Sequence, residues 1–442
     1  MKRVLIVSPH FPPANYPDMH RVRQSLPYLP EFGWDAVTLA VDAGSVEGAM
    51  DPDLLATLPA DAEVHRVRAL DARATRRFGL GSLALRALPA LRREGTRLLA
   101  EAAAAGRPFS LVYFSTTQFP VTVLGPLWKR RFGVPYIIDV QDPWRSDHYL
   151  TQPRAQRPPK FWFSYRLDAA LEPVAMGGVA GIVSVSQSYC DVLQARYPAS
   201  VRPERCLVLP FGGPQADFEA LTSLAPANPF FTPGGDTVNV VYVGRGGHDL
   251  ARAARAVFGA LADGLRDAPA LFGPVRLHFV GTDYAPAGQG RRTLAPLAAA
   301  FGVADRVAEH TGRIPYFQAL HLIQQADLAL VPGSDDPAYT ASKLYPYILA
   351  RRPLMAVFHE QSSVVRVLGE TRAGDAVVFS EGTDAADLRA RTGAAWSGLL
   401  ARLPFVPDTD WAAFEPYTAR EMTRKQAEFF DRIAGPAGAA RG

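Results

Sequence analysis

Leu328-Ala-Leu-Val-Pro332 and, after a short loop, Ala341-Ser-Lys-Leu-Tyr-Pro-Tyr-Ile-Leu-Ala-Arg-Arg-Pro-Leu354 decide the fold class of this chain. The first run is apolar and short, as a buried strand is. The second begins with Ser342, a candidate helix N-cap, and Lys343. The first N–H groups of a helix lack partners within it, so strand, loop and capped helix with a cation predict an anion site in an α/β domain. The alternative is a surface helix with a chance lysine.

Short apolar runs alternate with helical lengths along the rest of the chain, as buried parallel strands and their crossover helices do. In the first half the predicted strands are Arg3–Ser8, Ala36–Asp42, Glu63–Val67, Leu111–Ser115, Tyr136–Val140, Gly181–Ser186 and Cys206–Pro210. In the second half they are Val238–Val243, Val275–Val280, Val307–His310, Leu328–Val331, Leu354–Phe358 and Ala376–Phe379. The predicted helices include Met19–Phe32, Leu83–Ala105 and Trp411–Ile433.

A Pro- and Gly-rich break separates the two halves, which predicts two doubly wound, Rossmann-like α/β domains. We predict an N-terminal domain over 1–213, a linker over 214–236, and a C-terminal domain over 237–410. A C-terminal helix and tail over 411–442 could pack on either domain, including back on the N-terminal one. Ligands of such sheets bind beyond the carboxyl ends of the strands, so we expect a site in a cleft where the domains face each other.

The composition is that of a globular protein, with 442 residues, 48% hydrophobic and 20% charged. A net charge of +4 gives no indication of a nucleic-acid partner. Two cysteines, Cys190 and Cys206, form neither a disulfide framework nor a spaced metal set, which favours a reducing, cytoplasmic compartment. The N-terminal apolar run ends at Ser8-Pro9, too early for a signal peptide, and no run has the length of a membrane span.

Two segments raise the possibility of peripheral contact with an anionic membrane. The segment from Arg66 to Arg97 contains nine arginines and only two acidic residues. Such a segment could bind an anionic surface, or it could simply be a solvated face of the protein. Pro158-Pro-Lys-Phe-Trp-Phe-Ser-Tyr-Arg166 mixes aromatic and basic residues, which fits a membrane interface or a helix with its aromatics turned inward.

In the second half, Gly244-Arg245-Gly246-Gly247 follows a predicted strand. Glycines let backbone N–H groups approach a ligand, and Arg245 can bind two phosphate oxygens at once. Together with Lys343, this turn suits a diphosphate. Gly312-Arg313-Ile314 follows another strand and could form the floor for a planar base. A structural turn is the alternative at both positions.

In the first half, His10 lies in a Pro-rich loop after the first strand, and Asp142-Pro-Trp144 follows a later strand. A tryptophan beside carboxylates suits the C–H faces and hydroxyls of a sugar ring. The alternatives are that Asp142 caps a turn before Pro143 and that His10 is structural. The spaced His, Cys and Asp patterns of metal sites do not occur, so we predict no metal.

These segments, in this order, resemble retaining glycosyltransferases of the GT-B fold, in the family 4-like group that builds bacterial glycans. The similarity extends over roughly residues 1–435. It is carried by Phe132-Gly-Val-Pro-Tyr-Ile-Ile-Asp-Val-Gln-Asp-Pro-Trp144, Val241-Tyr-Val-Gly-Arg245, Ala326-Asp-Leu-Ala-Leu-Val-Pro332 and Ser342-Lys-Leu-Tyr-Pro-Tyr-Ile-Leu-Ala-Arg-Arg-Pro353.

The resemblance implies a hexosyltransferase-like enzyme that moves a sugar from a nucleotide-sugar to a hydroxyl of a glycan, a lipid-linked or a small-molecule acceptor. The N-terminal domain would be the acceptor side, and no cofactor is implied. The catalytic candidates are Arg245, Lys343, Asp142 and His10. The donor-binding candidates are Gly244, Arg245, Gly246, Gly247, Gly312, Arg313, Ile314, Ser342, Lys343 and Leu344.

The sequence departs from the family pattern at two places. Pro346 stands where the family has a glutamate that binds the donor ribose, and His248 and Arg252 stand near the place of a lysine that usually follows the arginine. The missing carboxylate favours a deoxyribose donor such as a dTDP-sugar. It also leaves open a binding or scaffold protein without turnover, and the two-domain plan leaves open a sugar-nucleotide epimerase or a hydrolase.

Overall fold

The computed structural model describes residues 1–77, 80–147, 150, 153–154, 157, 161–283, 289–335 and 343–435. The chain forms two compact α/β units. Unit 1 contains Met1–Gly212 and the chain from Ala419 onward, and unit 2 contains Gly213–Thr418. Ser342, the predicted N-cap, lies outside the described residues.

Unit 1 is built on a parallel sheet of seven strands in the order β3-β2-β1-β4-β5-β6-β7. Val4 and Ile6 of β1 face one apolar cluster and Leu5 and Val7 face another, so both faces of the sheet are covered. Burial on both sides explains the continuous apolar runs of the sequence. The strands are β1 Lys2–Val7, β2 Trp34–Val41, β3 Glu63–Val67, β4 Leu111–Ser115, β5 Tyr136–Val140, β6 Gly181–Ser184 and β7 Cys206–Val208.

Unit 1 also contains a helix from the end of the described chain. Phe430 of this helix packs its ring 5.4 Å from that of Trp34 and 4.9 Å from that of Tyr113. The C-terminal segment is therefore part of the unit 1 core. The described helices of unit 1 are α1 His20–Ser25, α2 Ala72–Arg76, α3 Leu83–Ala104, α4 Leu124–Phe132, α5 Phe161–Met176, α6 Gln187–Arg196 and, after unit 2, α16 Ala419–Ala434.

Unit 2 is built on a six-stranded parallel sheet in the order β10-β9-β8-β11-β12-β13. Its strands are β8 Val238–Val243, β9 Val275–Val280, β10 Val307–His310, β11 Leu328–Pro332, β12 Leu354–His359 and β13 Asp375–Phe379. Its described helices are α7 Gln215–Leu224, α8 Ala251–Asp267, α9 Pro269–Phe272, α10 Ala295–Ala300, α11 Tyr316–Gln325, α12 Leu344–Leu349, α13 Ser363–Thr371, α14 Ala385–Leu400 and α15 Trp411–Phe414.

All thirteen predicted strands are confirmed within about two residues at each end, but three predicted helices differ. The predicted helix Met19–Phe32 is wrong, because Pro27 and Pro30 interrupt it and α1 ends at Ser25. The predicted helix Trp411–Ile433 is also broken, by a 3₁₀ turn that contains Pro416. The helix predicted from Ser342 is shorter than its pattern suggested, since α12 ends at Leu349.

The segment predicted as a linker, 214–236, contains helix α7. The two units divide at Gly212/Gly213 and again at Thr418/Ala419.

In both sheets the strand order reverses between the first strand and the fourth. This point lies between β1 and β4 in unit 1 and between β8 and β11 in unit 2. The crossover connections leave opposite faces of the sheet there, so a crevice opens beyond the carboxyl ends of the two strands. The loops after β1, β4, β8 and β11 are therefore the places where a ligand site is expected.

Candidate functional site

The crevice of unit 2 brings together the two cations that the sequence singled out. The turn Gly244–Gly247 follows β8, and Lys343 directly precedes α12. A Cβ atom placed on Gly244 would lie 2.6 Å from Lys343 Nζ and 3.0 Å from the Tyr242 hydroxyl. Gly244 also has a φ of +154°, a backbone conformation that favours glycine.

Two N–H groups of this turn form hydrogen bonds within the protein. Gly244 N–H donates to the Val280 carbonyl at 2.9 Å, and Gly246 N–H donates to the Thr282 carbonyl at 2.8 Å. The prediction that glycine N–H groups here approach a ligand is therefore wrong for these two residues. The side chains of Arg245 and Lys343, rather than the backbone, supply the positive charge at the turn.

The two cations are held differently. Arg245 forms a two-point ion pair with Asp249, with N–O distances of 2.6 and 3.1 Å. Lys343 Nζ lies 5.9 Å from the centre of the Tyr242 ring, and no carboxylate of the described residues lies within 4.0 Å of it. Burial, and then the charge of Arg245, lower the pKa of Lys343 to about 8, against a smaller opposing effect of Asp249. An anion placed here would neutralise Lys343 and relieve its repulsion from Arg245.

Tyr347 of α12 fixes the helix that follows Lys343. Its hydroxyl accepts a hydrogen bond from the Val243 N–H at 2.7 Å, so the start of α12 is tied to the end of β8. Leu344, a predicted donor contact, has its side chain in the unit 2 core instead. Sequence reasoning missed Tyr347 because nothing in the sequence separates it from its aromatic neighbours.

The predicted base floor lies on the same sheet edge, farther from the cations. Gly312, Arg313 and Ile314 follow β10, which is separated from β8 by β9. Gly312 is exposed, with open space beside its Cα, and Ile314 packs against a small apolar cluster around Val241. That these positions hold a planar base stays a prediction.

Glu309 orders the loops around this edge and was missed by sequence reasoning. Its buried carboxylate accepts hydrogen bonds from the Thr282 hydroxyl (2.9 Å) and from the backbone N–H groups of Thr293, Leu294 and Ala295 (3.0, 3.0 and 2.7 Å). It thereby caps α10 and joins β10 to the segment between β9 and α10. The one sequence signal that could have identified Glu309 is the presence of an acidic residue inside a predicted strand.

In unit 1 the loop after β1 carries a buried histidine–aspartate pair. Nδ1 of His10 lies 3.0 Å from both carboxylate oxygens of Asp18, and the two rings of His10 and Tyr16 stack at 3.8 Å. Burial raises the pKa of Asp18, but the hydrogen bonds and charge of His10 and the hydrogen bonds of Thr117 outweigh it, and the pKa lies below its ordinary value. A carboxylate at Nδ1 fixes the ring orientation and leaves Nε2 as the side that can meet a ligand.

A second buried network of hydrogen bonds connects α1 with the ends of β4 and β5. Arg21 Nε donates to Asp139 at 2.8 Å, and the same carboxylate oxygen accepts from Ser115 and Gln141. Arg21 and Asp139 are fully buried. A buried charge pair of this kind is stabilised by its additional hydrogen bonds. It holds the ends of β4 and β5 in place relative to α1.

Asp142 lines a cavity of about 670 Å³ in unit 1. Within the described part of the chain its carboxylate has no hydrogen-bond partner, so the alternative of a turn cap is not supported. Desolvation by the surrounding protein and the charge of Asp18 raise its pKa. The cavity is lined by Arg76, Gly81, Ser82, Leu85, Thr117, Gln118, Phe119, Pro120, Asp142, Pro143, Trp144, Phe163, Ser164, Leu167 and Asp168.

Trp144 forms the aromatic wall of this cavity. Its ring stacks on Phe119 at 5.5 Å, and its Nε1–H donates to Asp168 at 2.9 Å. Trp144 and Phe119 also line a second, smaller cavity of about 290 Å³ with Arg145 and Arg196. The tryptophan predicted to meet a sugar ring is thus held rigidly between two cavities.

The described residues contain no group of three or more His, Cys, Asp or Glu side chains arranged to hold a metal ion. None of the described helices is long and apolar enough to cross a membrane.

No protein-family model matches the sequence, and a comparison with curated proteins gives no match. Solved structures do match over almost the whole chain. Anabaena Alr3699/HepE in complex with UDP has a TM-score of 0.52 and 15% identity, over 97% of this chain and 99% of that one. A glycosyltransferase from Rickettsia africae has a TM-score of 0.55 and 12% identity, over 98% of both chains.

A UDP-forming α,α-trehalose-phosphate synthase from Burkholderia xenovorans has a TM-score of 0.54 and 13% identity, over 99% of this chain and 100% of that one. At such identities the likeness establishes the fold. The two parallel-sheet α/β units are those of the GT-B fold, as the sequence predicted. The chemistry must therefore be argued from the residues of the two crevices.

Proposed function

We propose that this protein is a glycosyltransferase that moves a hexosyl group from a nucleotide-sugar to a hydroxyl acceptor. The observation that carries the proposal is the meeting of Arg245 and Lys343 at the Gly244 turn, in the crevice of unit 2. Two cations on one glycine turn suit a diphosphate. Anabaena HepE, which shares the fold, has been crystallised with UDP and with UDP-glucose, which supports a nucleotide-sugar as the ligand.

In this proposal the leaving diphosphate is stabilised by Arg245 and Lys343. Negative charge accumulates on the diphosphate as the glycosidic bond breaks, and fixed cations in a poorly solvated site stabilise that charge without reorganising. The ion pair with Asp249 holds the Arg245 guanidinium in one orientation. Gly247 leaves room for the paired side chains of Arg245 and Asp249. In the proposal Gly246 and Gly247 shape the turn, and Gly312, Arg313 and Ile314 would lie beside the base. The proposal assigns no role to a metal ion or a cofactor.

We place the acceptor on unit 1. Asp142 reaches the cavity with its carboxylate oxygens unoccupied, and His10 is oriented by Asp18. Both can accept a hydrogen bond from a hydroxyl, which would hold the acceptor oxygen for attack. The resemblance to family 4-like enzymes extends the proposal to retention of the anomeric configuration in the synthesis of a bacterial glycan.

A binding protein without turnover is the second candidate, and α12 is the observation that favours it. This helix, Leu344–Leu349, contains no acidic residue, and Pro346 stands where a ribose-binding glutamate is expected. The same absence fits a deoxyribose donor such as a dTDP-sugar. A nucleotide panel separates these donor classes.

The proposed test is a thermal-shift panel of UDP, GDP, dTDP, ADP and CMP. A nucleotide present at about 100 times its Kd stabilises the folded protein by about 2.7 kcal/mol, which raises the Tm. We expect a shift with at least one diphosphate, lost in Arg245→Ala and retained in the control Arg266→Ala, whose exposed guanidinium pairs with Asp267 elsewhere in unit 2. No shift with any nucleotide, or equal shifts in both variants, would refute the donor site.

We also propose that the protein works in the cytoplasm, in peripheral contact with an anionic membrane. Trp162 and Phe163 at the start of α5 are 47% and 56% exposed, and the guanidinium of Arg157 lies 5.2 Å from the Trp162 ring. Phe161, in contrast, is buried, so only part of the aromatic segment turns outward. Sedimentation should increase with the anionic lipid content of vesicles, and equal sedimentation with neutral vesicles would contradict the proposal.

A further inference from the structure

The two cysteines of the chain come together in unit 1. Cys190 lies in α6 and is fully buried, whereas Cys206 begins β7, an edge strand of the sheet, and is partly exposed. Cys190 belongs to the apolar cluster against which Cys206 packs. One helical turn after Cys190, the Gln194 side-chain amide donates to the Cys206 sulfur at 3.4 Å. Positions one turn apart share a helix face, so this face of α6 presents both side chains to Cys206.

The two thiols differ in their readiness to ionise. A hydrogen bond from Cys190 lowers the pKa of Cys206 to about 7, and Gln194 lowers it further. Burial and the charges of Glu204 and Asp191 act in the opposite direction on Cys206 and are outweighed. The same hydrogen bond raises the pKa of Cys190, and burial raises it as well.

This difference assigns separate roles to the two sulfur atoms. At pH 7 about half of Cys206 is thiolate, and Cys190 keeps its proton. The thiolate is the form of cysteine that attacks a disulfide, and it must be reachable from solvent. Cys206 meets both conditions, whereas Cys190 is protonated and has no contact with solvent.

We propose that Cys206 and Cys190 form a redox-sensitive site, which a low-molecular-weight disulfide such as oxidised glutathione converts to an intramolecular disulfide. Cys206 is the attacking residue and Cys190 is the resolving residue. In a reducing cytoplasm such a bond is transient and reports a change in redox poise. The inference does not depend on the proposed transferase function.

The exchange proceeds in two balanced steps. The Cys206 thiolate attacks one sulfur of oxidised glutathione, which breaks the S–S bond, forms a mixed disulfide and releases one glutathione as a thiolate that takes up a proton. Cys190 then gives its proton to solvent, and its thiolate attacks the Cys206 sulfur and releases the second glutathione. The two cysteines are thereby oxidised by two electrons, and one glutathione disulfide is reduced to two thiols.

Formation of the mixed disulfide also prepares Cys190 for the second step. The pKa of Cys190 is raised mainly because its proton is held by Cys206. Once Cys206 is bonded to glutathione it carries no negative charge, so this contribution is lost and the pKa of Cys190 falls. The resolving thiol is therefore activated only after the attacking thiol has reacted.

The disulfide would join α6 to the edge strand β7. Helix α6 also carries Ser188 and Tyr189, which line the cavity of about 290 Å³ beside Trp144. The redox state of the pair therefore acts on a helix that forms part of that cavity.

The test exposes the full-length protein to excess oxidised glutathione at pH 7, followed by thiol counting in denaturant and intact mass. We expect the wild type to go from two free thiols to none, to lose the mass of two hydrogen atoms and to retain no glutathione. Peptide mapping should show the peptides of Cys190 and Cys206 linked to each other. Dithiothreitol should restore both thiols.

Two matched variants separate the roles of the sulfur atoms. Cys190→Ser should stop at the mixed disulfide and keep one glutathionyl group on Cys206. Cys206→Ser should react at least about tenfold more slowly, because the remaining thiol is buried and protonated. Circular dichroism shows whether each variant is folded, and the peptide map of the wild type decides the question without either variant.

Three results would overturn the proposal. The wild type could keep both thiols, it could retain glutathione on Cys206 with Cys190 free, or it could form a disulfide between two molecules, seen as a dimer on a non-reducing gel. Equal rates of reaction in folded Cys190→Ser and Cys206→Ser would contradict the assignment of Cys206 as the attacking residue.

Discussion

At the scale of single residues, Lys343 places a largely buried positive charge beside Gly244 in the unit 2 crevice. The lysine ammonium lies 2.6 Å from the position that a Cβ atom on residue 244 would take, so a side chain at residue 244 would displace the ammonium. Burial and Arg245 make the charged form of Lys343 costly in the free protein. In the proposed complex a bound diphosphate would remove that cost, so the protonation of Lys343 should respond to nucleotide binding.

The lowered pKa of Lys343, about 8, predicts a pH dependence of nucleotide binding. Below pH 8 the ammonium is charged and binds the diphosphate; above pH 8 the free protein loses that charge. At pH 9 about one tenth of the free protein keeps it, so Kd should rise about tenfold between pH 7 and pH 9, with proton uptake on binding. Calorimetric titrations in buffers of different ionisation enthalpy measure both quantities.

Lys343→Arg is the matched control for this dependence. Arginine stays charged throughout this range, so its Kd should be nearly constant from pH 7 to pH 9. A pH dependence of the same size in Lys343→Arg would show that another group is responsible and would remove Lys343 from the account.

The site residues that the sequence predicts are those whose position is set by a neighbouring strand. Arg245 and Lys343 were predicted because each follows an apolar strand, and parallel strands bring their carboxyl ends to one edge. Glu309, Tyr347 and Asp18 were not identified as site residues, because their roles come from partners between 8 and 104 positions away. A strand pattern carries no information on such partners.

At the scale of elements, the strands were predicted well and the helices less well. Strands buried on both faces must be continuous apolar runs, which the sequence displays directly. The prediction of a helix over Met19–Phe32 was wrong because it relied on the apolar spacing and ignored Pro27 and Pro30, which end the helix. The capped helix at Ser342 was predicted to bind an anion at its N-terminus, but α12 has only six residues, so the proposal assigns that role to the lysine side chain.

The contact between α3 and α4 depends on a glycine. A Cβ on Gly95 would lie 2.4 Å from the ring of Trp128, which is fully buried and donates to Thr96 at 3.0 Å. Because the Trp128 ring is buried and hydrogen-bonded, Gly95→Ala should destabilise unit 1 by about 1 to 3 kcal/mol, despite the better helix propensity of alanine. Gly398→Ala, at an exposed helix position with open space, should stabilise by up to about 1 kcal/mol.

Urea unfolding followed by tryptophan fluorescence measures both free energies. A Gly95→Ala protein as stable as the wild type would show that the two helices can move apart, and would contradict the rigid contact.

At the scale of the whole molecule, the chain builds unit 1 from both of its ends. Phe430 of α16 contacts Trp34 and Tyr113 of the unit 1 sheet. The sequence predicted a C-terminal helix that could pack on either domain, and amphipathicity alone could not choose between them. The structure shows that the helix packs on unit 1, because Phe429 and Phe430 belong to the same apolar cluster as Trp34 of β2 and Tyr113 of β4.

Phe430→Ala therefore tests the division into units. Removal of a buried phenylalanine costs about 3 to 5 kcal/mol. We expect faster hydrogen exchange in β1 and β4 of unit 1, with β8 and β11 of unit 2 unchanged. The control Val406→Ala, at a residue 70% exposed, should leave both unchanged. Faster exchange in β8 would contradict the assignment of α16 to unit 1.

Release of nucleotide from nucleotide-sugars separates a transferase from a binding protein, because slow hydrolysis of the donor needs no acceptor and a binding protein does not turn over. With UDP-, GDP-, dTDP- and ADP-sugars, in the presence of EDTA, we predict release of one nucleoside diphosphate by the wild type and by Arg266→Ala. Loss of a charge-stabilising group of this kind lowers the rate about 100-fold or more, so Arg245→Ala and Lys343→Ala should show little release. Binding without release, or release unchanged in both variants, would contradict the account.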